Sequence, residues 1–183
     1  MLIGFGHRSR VGKDTACKYL KENHGFHHFS FAYELKTIAH NIYGYLGVQP
    51  PEYYEDNPEA RAEIITEIGK TAVDVWVHMN HLREIHPDIF VQHMFRDITR
   101  KGLHVYKDNI CISDVRQINE VESIRKLCGH VVKINAPDVK ALKCAAIDDK
   151  LEGFTDWDYE LNNDSDLSTF HANIEAMYDS FRA

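Results

Sequence analysis

The chain has 183 residues, of which 44% are hydrophobic, and this suits one globular domain (1–183) with a well-packed core. A formal charge of −7 at pH 7 argues against binding to polymeric nucleic acid, because such binding needs many Lys and Arg contacts to phosphates. No apolar stretch is long enough to span a membrane, and the first residues lack the basic region and cleavage site of a signal peptide, so a cytoplasmic location is expected.

Hydrophobic periodicity predicts five strands that alternate with helices. The predicted strands are residues 2–5, 27–31, 109–113, 130–135 and 159–161. The predicted helices are residues 13–23, 33–43, a long helical region from 58 to about 83, 88–100, 117–127 and 167–181. Such alternation is typical of an α/β fold, a mainly parallel sheet with helices on both faces that binds ligands at the carboxyl ends of its strands.

Two segments interrupt this alternation. Residues 44–101 begin with a turn-rich stretch and continue with helices between the second and third strands, an insertion that suits substrate recognition. The plain alternative is a surface excursion. Residues 137–158 are charged and precede the last short strand, where a short lid would lie.

The most informative motif is GHRSRVGKDT, residues 6–15, between the first strand and the first helix. A glycine-rich turn that ends in Gly-Lys at such a junction aims backbone N–H groups and a helix N-terminus at phosphate, and Lys13 would reach the β and γ oxygens of a nucleotide. The usual motif has four residues between its glycines, whereas five separate Gly6 from Gly12 and His7 takes the first glycine's place. Asp14 replaces the usual Ser or Thr. A mere helix cap is the alternative.

Two further arginines lie within this turn. Arg8 and Arg10 carry guanidinium groups that bind phosphate in a bidentate way, so both are candidates to clamp a transferred or acceptor phosphate. The alternative for each is simple surface exposure.

A second candidate constellation follows the apolar run that begins at residue 109. This predicted strand delivers Asp114 and then Arg116 to its carboxyl end, where an Asp binds magnesium in phosphate-loop folds and an Arg meets substrate phosphate. The alternative is that Asp114 caps the next helix and Arg116 pairs with Glu120. Asp14 is a second candidate for the metal.

The four cysteines and 12 histidines give no comparable signal. Cys17, Cys111 and Cys128 fall in runs that read as helix or strand, where a thiol is usually a buried apolar residue. The histidines lack the spacing of a zinc site.

Taken together, the segments 8–15, 30–36 and 113–122, with a weaker trace through 159–163, resemble the deoxynucleoside monophosphate kinases of bacteriophages, a branch of the P-loop nucleotide kinases. The resemblance implies a P-loop kinase fold. It also implies transfer of the γ-phosphate of ATP, with Mg²⁺, to the 5′-phosphate of a deoxynucleoside monophosphate, in host cytoplasm if the source is viral. A kinase of this size is compatible with a homodimer.

The resemblance also implies roles for individual residues. ATP would be held by the loop residues Gly6, Arg8, Ser9, Arg10, Val11, Gly12, Lys13, Asp14 and Thr15. Catalysis would rest on Lys13, Arg116, Asp14 and Arg10, and the metal on Asp114 and Asp14. The acceptor would meet Phe31, Lys36, Trp76 and Arg116.

One departure from the family pattern concerns the lid. Residues 137–158 contain no arginine, although lids of such kinases commonly supply arginines to the transferred phosphate, so Arg8, Arg10 and Arg116 would have to replace them. Kinases of dephospho-coenzyme A and phosphomevalonate carry similar loops and remain alternatives. A nucleotide-binding switch is a further alternative, although the Asn-Lys-x-Asp motif of GTP switches is absent from the sequence.

Overall fold

The computed structural model describes residues 1–139 and 148–183. Its strands are β1 (Leu2–Gly6), β2 (His27–Phe29), β3 (Ile64–Ile65), β4 (Lys70–Thr71), β5 (Ile110–Val115), β6 (His130–Asn135) and β7 (Tyr159–Asn162). Its α-helices are α1 (Lys13–His24), α2 (Phe31–Tyr43), α3 (Pro51–Asp56), α4 (Ala72–Met79), α5 (Leu82–Ile85), α6 (Ile89–Arg100), α7 (Ile118–Lys126) and α8 (Leu167–Ser180). Short 3₁₀ helices cover Gly44–Leu46, Pro58–Ala62 and Asp148–Leu151.

Two compact units divide the described chain. The first unit comprises Met1–Ser30 and Arg96–Ala183, and the second comprises Phe31–Phe95. The sequence placed the start of the insertion at residue 44, whereas the second unit starts at Phe31 and therefore also includes α2.

The first unit is built on a five-stranded sheet in the order β2-β5-β1-β6-β7, in which every neighbouring pair is parallel. Central strands of such a sheet are buried on both faces, and β1 and β5 are accordingly buried along their whole length. Because all five strands run the same way, their carboxyl ends share one edge of the sheet.

Helices cover both faces of this sheet. Ile3 and Phe5 belong to the core cluster that contains residues of α1 and α8. Gly4 points to the opposite face, since side chains alternate along a strand, and a Cβ there would lie 2.5 Å from Ile124 of α7. The predicted α/β architecture, a mainly parallel sheet with helices on both faces, is therefore confirmed.

One predicted strand is too long. The sequence extends it to residue 31, but β2 ends at Phe29 and Phe31 is already the first residue of α2. Ser30 at this junction donates a hydrogen bond from its hydroxyl to Asp114 instead of continuing the strand.

The second unit contains the main error of the sequence-based prediction. Residues 58–83 are not one helical region, because β3 and β4 form a small antiparallel hairpin there. Gly69 makes the turn with a φ of 66°, which is costly for most other residues. The next helix starts afresh at a capping box, in which the Thr71 hydroxyl accepts from the Asp74 N–H and the Asp74 carboxylate accepts from the Thr71 N–H.

The apolar core of the second unit joins α2, α4 and α6. Its buried members are Leu35, Ala39, Val48, Val75, Met79 and Phe90. A smaller cluster is formed by Tyr54, Ala60 and Ala72, with Trp76 packed against it.

Across residues 1–139 and 148–183, no helix has the length and apolar character required to cross a membrane. Cys17 and Cys111 are buried, as the sequence indicates, but Cys128 is exposed because it lies just past the end of α7 with a left-handed φ of 57°.

Candidate active site

The connection between β1 and α1 is a tight loop with three residues in the left-handed region. His7, Arg10 and Gly12 have φ values of 77°, 65° and 104°. His7 thus adopts the conformation for which the usual motif supplies a glycine, at a cost on the order of 1 kcal/mol. The loop closes into a compact turn although its sequence departs from the usual pattern.

Lys13 is folded into this loop. Its side chain is almost fully buried, and its ammonium donates hydrogen bonds to the carbonyl oxygens of Arg8 and of His7, the latter at 3.3 Å. A solvated lysine at a helix start would make neither contact. The ammonium therefore lies where the loop backbone curves around it, as expected for a group that binds an anion there.

The amino end of α1 adds backbone donors. The Ala16 N–H donates to the Gly12 carbonyl at 2.9 Å, and the N–H groups of the first turn of an α-helix point along its axis, here towards the loop. Together with the helix dipole, these groups attract negative charge. The loop and helix end have the donor chemistry that phosphate groups require.

The other loop residues divide into exposed and buried positions. Arg8 and Arg10 are exposed, and the Arg8 guanidinium lies 3.8 Å from the Glu152 carboxylate. Ser9 is partly exposed, whereas the Val11 side chain belongs to the core, so only its backbone can face a ligand.

Asp114 lies at the carboxyl end of β5, next to the start of the loop. The register pairs Gly6 with Val115, which places Asp114 beside the end of β1. Its side chain is buried and accepts a hydrogen bond of 3.0 Å from the Ser30 hydroxyl. A buried carboxylate held by a hydrogen bond at this edge suits a magnesium ligand better than a surface cap.

The alternative that Asp114 caps the following helix is not supported. That helix, α7, begins only at Ile118. Its N-cap is Gln117, which forms a capping box with Glu120, and the Glu120 carboxylate accepts from the N–H groups of Arg116 at 2.7 Å and Gln117 at 3.1 Å. Glu120 therefore fixes the backbone that carries Arg116.

His28 lies close to Ser113 of β5 and to Asp14. Its Nε2 lies 2.8 Å from the Ser113 hydroxyl, next to Asp114, and 3.9 Å from the carboxylate of Asp14. The Asp14 side chain is 88% exposed, so it is open to a ligand.

No cluster of three or more His, Cys, Asp or Glu side chains suited to a metal occurs among the described residues. Mg²⁺ does not require one, because it is usually held by one or two carboxylates together with water and substrate phosphates. Asp114 and Asp14 fit that donor set.

The chain matches no protein-family model. It is 26% identical over 191 residues to an Acanthamoeba polyphaga mimivirus protein named "Putative deoxynucleotide monophosphate kinase", covering 98% of this chain and 97% of that protein. Among solved structures it is similar to dephospho-CoA kinase from Campylobacter jejuni, with a TM-score of 0.54 and 12% identity, covering 98% of this chain and 96% of that one. Shikimate kinase from Aquifex aeolicus gives a TM-score of 0.52 and 12% identity, covering 100% and 98%.

The chain has the fold of the P-loop kinases. The predicted resemblance is confirmed, since the sequence relative and both solved structures are kinases by name. This also agrees with the prediction of a phosphotransferase.

Within this P-loop kinase fold, Gly6 has a packing role that sequence reasoning missed. A Cβ at this position would lie 2.6 Å from the Trp157 ring and 3.2 Å from the Val115 carbonyl oxygen. Trp157 therefore covers the end of β1. Only the contact itself reveals this, because the two residues are far apart in sequence.

The segment predicted as a lid is described only in part. Lys140 and Lys143 lie outside the described residues. Beyond them, Arg125 of α7 lies 2.5 Å from the Asp156 carboxylate and 3.3 Å from that of Asp158. The hydrogen bond that Arg125 donates to the Asp156 carboxylate raises the pKa of Arg125 above its usual value, so its guanidinium stays charged.

The predicted acceptor residues Phe31, Lys36 and Trp76 all belong to the second unit. The structure brings two of them together, since the Lys36 ammonium lies 5.1 Å from the centre of the Trp76 ring, while the Phe31 ring is buried. Trp76 also meets Tyr54 edge to face with ring centres 5.0 Å apart.

Proposed function

We propose that the protein is a deoxynucleoside monophosphate kinase that transfers the γ-phosphate of ATP to the 5′-phosphate of its acceptor, giving a diphosphate and ADP. The observation that carries this proposal is the loop with Lys13 folded inside it, beside a buried Asp114. The named activity of the mimivirus relative supports the choice of acceptor.

The loop would hold the triphosphate. Phosphate oxygens accept hydrogen bonds from the N–H groups at the start of α1, and Lys13 exchanges the carbonyls of His7 and Arg8 for the β and γ oxygens. The positive charge then lies where negative charge develops during transfer.

Asp114 and Asp14 are the residues that would hold Mg²⁺. When bound, the ion neutralises phosphate charge and helps to align the reacting groups. Ser30 fixes the orientation of the Asp114 carboxylate, and His28 lies close enough to restrain that of Asp14.

The acceptor would be recognised by the second unit through Lys36 and Trp76, together with Phe31, the first residue of that unit. Arg8, Arg10 and Arg116 would supply the positive charge that a lid without arginines lacks. No strong base is required, because the acceptor phosphate is already ionised at neutral pH and alignment provides most of the acceleration.

The test is ADP production from ATP and Mg²⁺ with dAMP, dGMP, dCMP and dTMP, alongside dephospho-coenzyme A, phosphomevalonate and shikimate. We expect turnover with at least one deoxynucleotide. Turnover with one of the other acceptors and with no deoxynucleotide would contradict the proposal. ATP hydrolysis without transfer to any of these acceptors would contradict it as well.

A further inference from the structure

Asn163 reaches the phosphate loop from the opposite end of the chain. It follows β7, and its side-chain amide donates a hydrogen bond of 3.0 Å to the carbonyl oxygen of Val11. The two residues are 152 positions apart. Asn163 is partly buried, and no other polar side-chain contact in the described structure joins the β7 end to this loop carbonyl.

The backbone around Asn163 holds its side chain in place. The Asn163 N–H donates to the Asn135 carbonyl at 2.8 Å, which continues the pairing of β6 with β7. The carbonyl of the preceding residue, Asn162, accepts a hydrogen bond of 3.1 Å from the Asn173 side chain on α8. The sheet and α8 therefore both restrain the point from which Asn163 reaches the loop.

The fit between Asn163 and the loop is close. A Cβ on Gly12 would lie 2.7 Å from the Asn163 amide nitrogen, and 3.1 Å from the Phe170 ring. Gly12 also has a φ of 104°. A glycine is needed here for its backbone conformation and because the Asn163 amide occupies the adjacent space.

Peptide geometry gives this contact a consequence for phosphate. The Val11 carbonyl and the Gly12 N–H belong to one peptide unit, which is planar and trans, so the two groups point in opposite directions. Fixing the carbonyl towards Asn163 directs the Gly12 N–H away from Asn163. Lys13, whose ammonium lies inside the loop, is the residue after Gly12 in the chain.

We propose that Asn163 is a positioning residue for ATP, which aims the Gly12 N–H at the nucleotide phosphates by holding the Val11 carbonyl. It does not touch the phosphates itself. The inference rests on the proposed function, because it assigns this loop to ATP.

The test compares Asn163→Ala, Asn163→Asp and Asn23→Asp with the wild-type chain. Asn163→Ala removes the donor without adding charge, and Asn163→Asp sets a carboxylate oxygen against the Val11 carbonyl. Asn23→Asp is the matched control, because it removes an amide that also donates to a backbone carbonyl, one that belongs to Tyr19 of α1 and not to the loop. Thermal unfolding shows whether each variant folds.

The first readout is the dissociation constant of Mg²⁺-ADP, measured by calorimetry without acceptor. We expect roughly tenfold weaker binding in Asn163→Ala and a larger loss in Asn163→Asp, while Asn23→Asp stays within about twofold of wild type. The second readout is steady-state kinetics, in which KM for ATP rises and KM for the acceptor does not.

Wild-type ADP affinity in a folded Asn163→Ala protein would overturn the inference and leave the proposed function intact. An equal rise of both KM values would also overturn it, because a general structural role would have that effect. If the wild-type chain binds neither ADP nor ATP, the proposed function fails and this inference fails with it.

Discussion

The loop after β1 and the second unit, Phe31–Phe95, are two candidate binding regions that are built in different ways. The loop is fixed by its own backbone: left-handed residues, a helix start and a buried lysine that donates to two carbonyls of the same turn. The second unit consists of helices and a hairpin with two residues in each strand, and its candidate residues are side chains on different helices, such as Lys36 and Trp76. A site made of backbone groups suits the part of a ligand that is the same in every substrate. A site made of side chains suits the part that differs between substrates.

The largest effect is expected from a substitution in the loop after β1. Replacing Lys13 by Ala removes the charge that would face the β and γ oxygens, so kcat should fall on the order of 10²-fold or more with the fold retained. The matched control is Lys18→Ala, on the same helix but exposed and paired with Glu22, which should leave kcat unchanged. Steady-state ADP production measures both, and wild-type turnover in Lys13→Ala would refute the site.

A second variant tests the carboxylate beside the loop. Asp114→Asn keeps the shape and the contact with Ser30 but removes the charge, so we expect a loss of about tenfold to 10²-fold in kcat and a higher Mg²⁺ requirement. Ser30→Ala, which removes one hydrogen bond to the carboxylate and keeps its charge, should cost less. A titration of activity against Mg²⁺ distinguishes these cases, and an unchanged magnesium requirement in Asp114→Asn would remove Asp114 from the metal site.

A third variant tests the second unit separately. Lys36→Ala removes the ammonium that lies against Trp76, and we expect KM for the acceptor to rise by about threefold to tenfold, since cation–π and phosphate contacts of one lysine are worth this much. KM for ATP should not change. Lys70→Ala, an exposed lysine of the same unit, is the control. A selective rise in KM for ATP would contradict the proposal that the loop binds ATP and the second unit binds the acceptor.

The smallest effect concerns stability away from both regions. Glu175 of α8 accepts hydrogen bonds from His24 and Tyr19, and the contact with His24 lowers the pKa of its carboxyl below the usual 4.5. Because the pKa is lower in the folded chain, this contribution to stability is present above pH 4.5 and is lost as the pH falls through the folded-state pKa. Thermal unfolding from pH 6 to pH 3 should show a slightly shallower acid decline for Glu175→Gln than for wild type. An identical decline would mean that the contact adds nothing to stability.

Sequence patterns succeeded where structure is local. The P-loop, the five strands and most helix positions follow from short-range periodicity and from a glycine-lysine turn at a strand-to-helix junction. They failed at residues 58–83, where apolar spacing favoured a helix but the positive φ of Gly69 and the capping box at Thr71 start a new element. The sequence has no simple signal for a hairpin with only two residues in each strand, because so few residues cannot show the alternation of apolar and polar side chains that marks a strand.

By itself, the sequence determined the chemistry available at the edge of the sheet: a glycine-lysine loop with Lys13, and Asp114 at the end of a buried strand. Only the tertiary structure decided which distant residues hold these groups. Ser30 meets Asp114 across 84 positions and Asn163 meets Val11 across 152. The reason is physical, since backbone conformation is set largely by near neighbours, whereas a side-chain hydrogen bond depends on how parallel strands are ordered in the sheet.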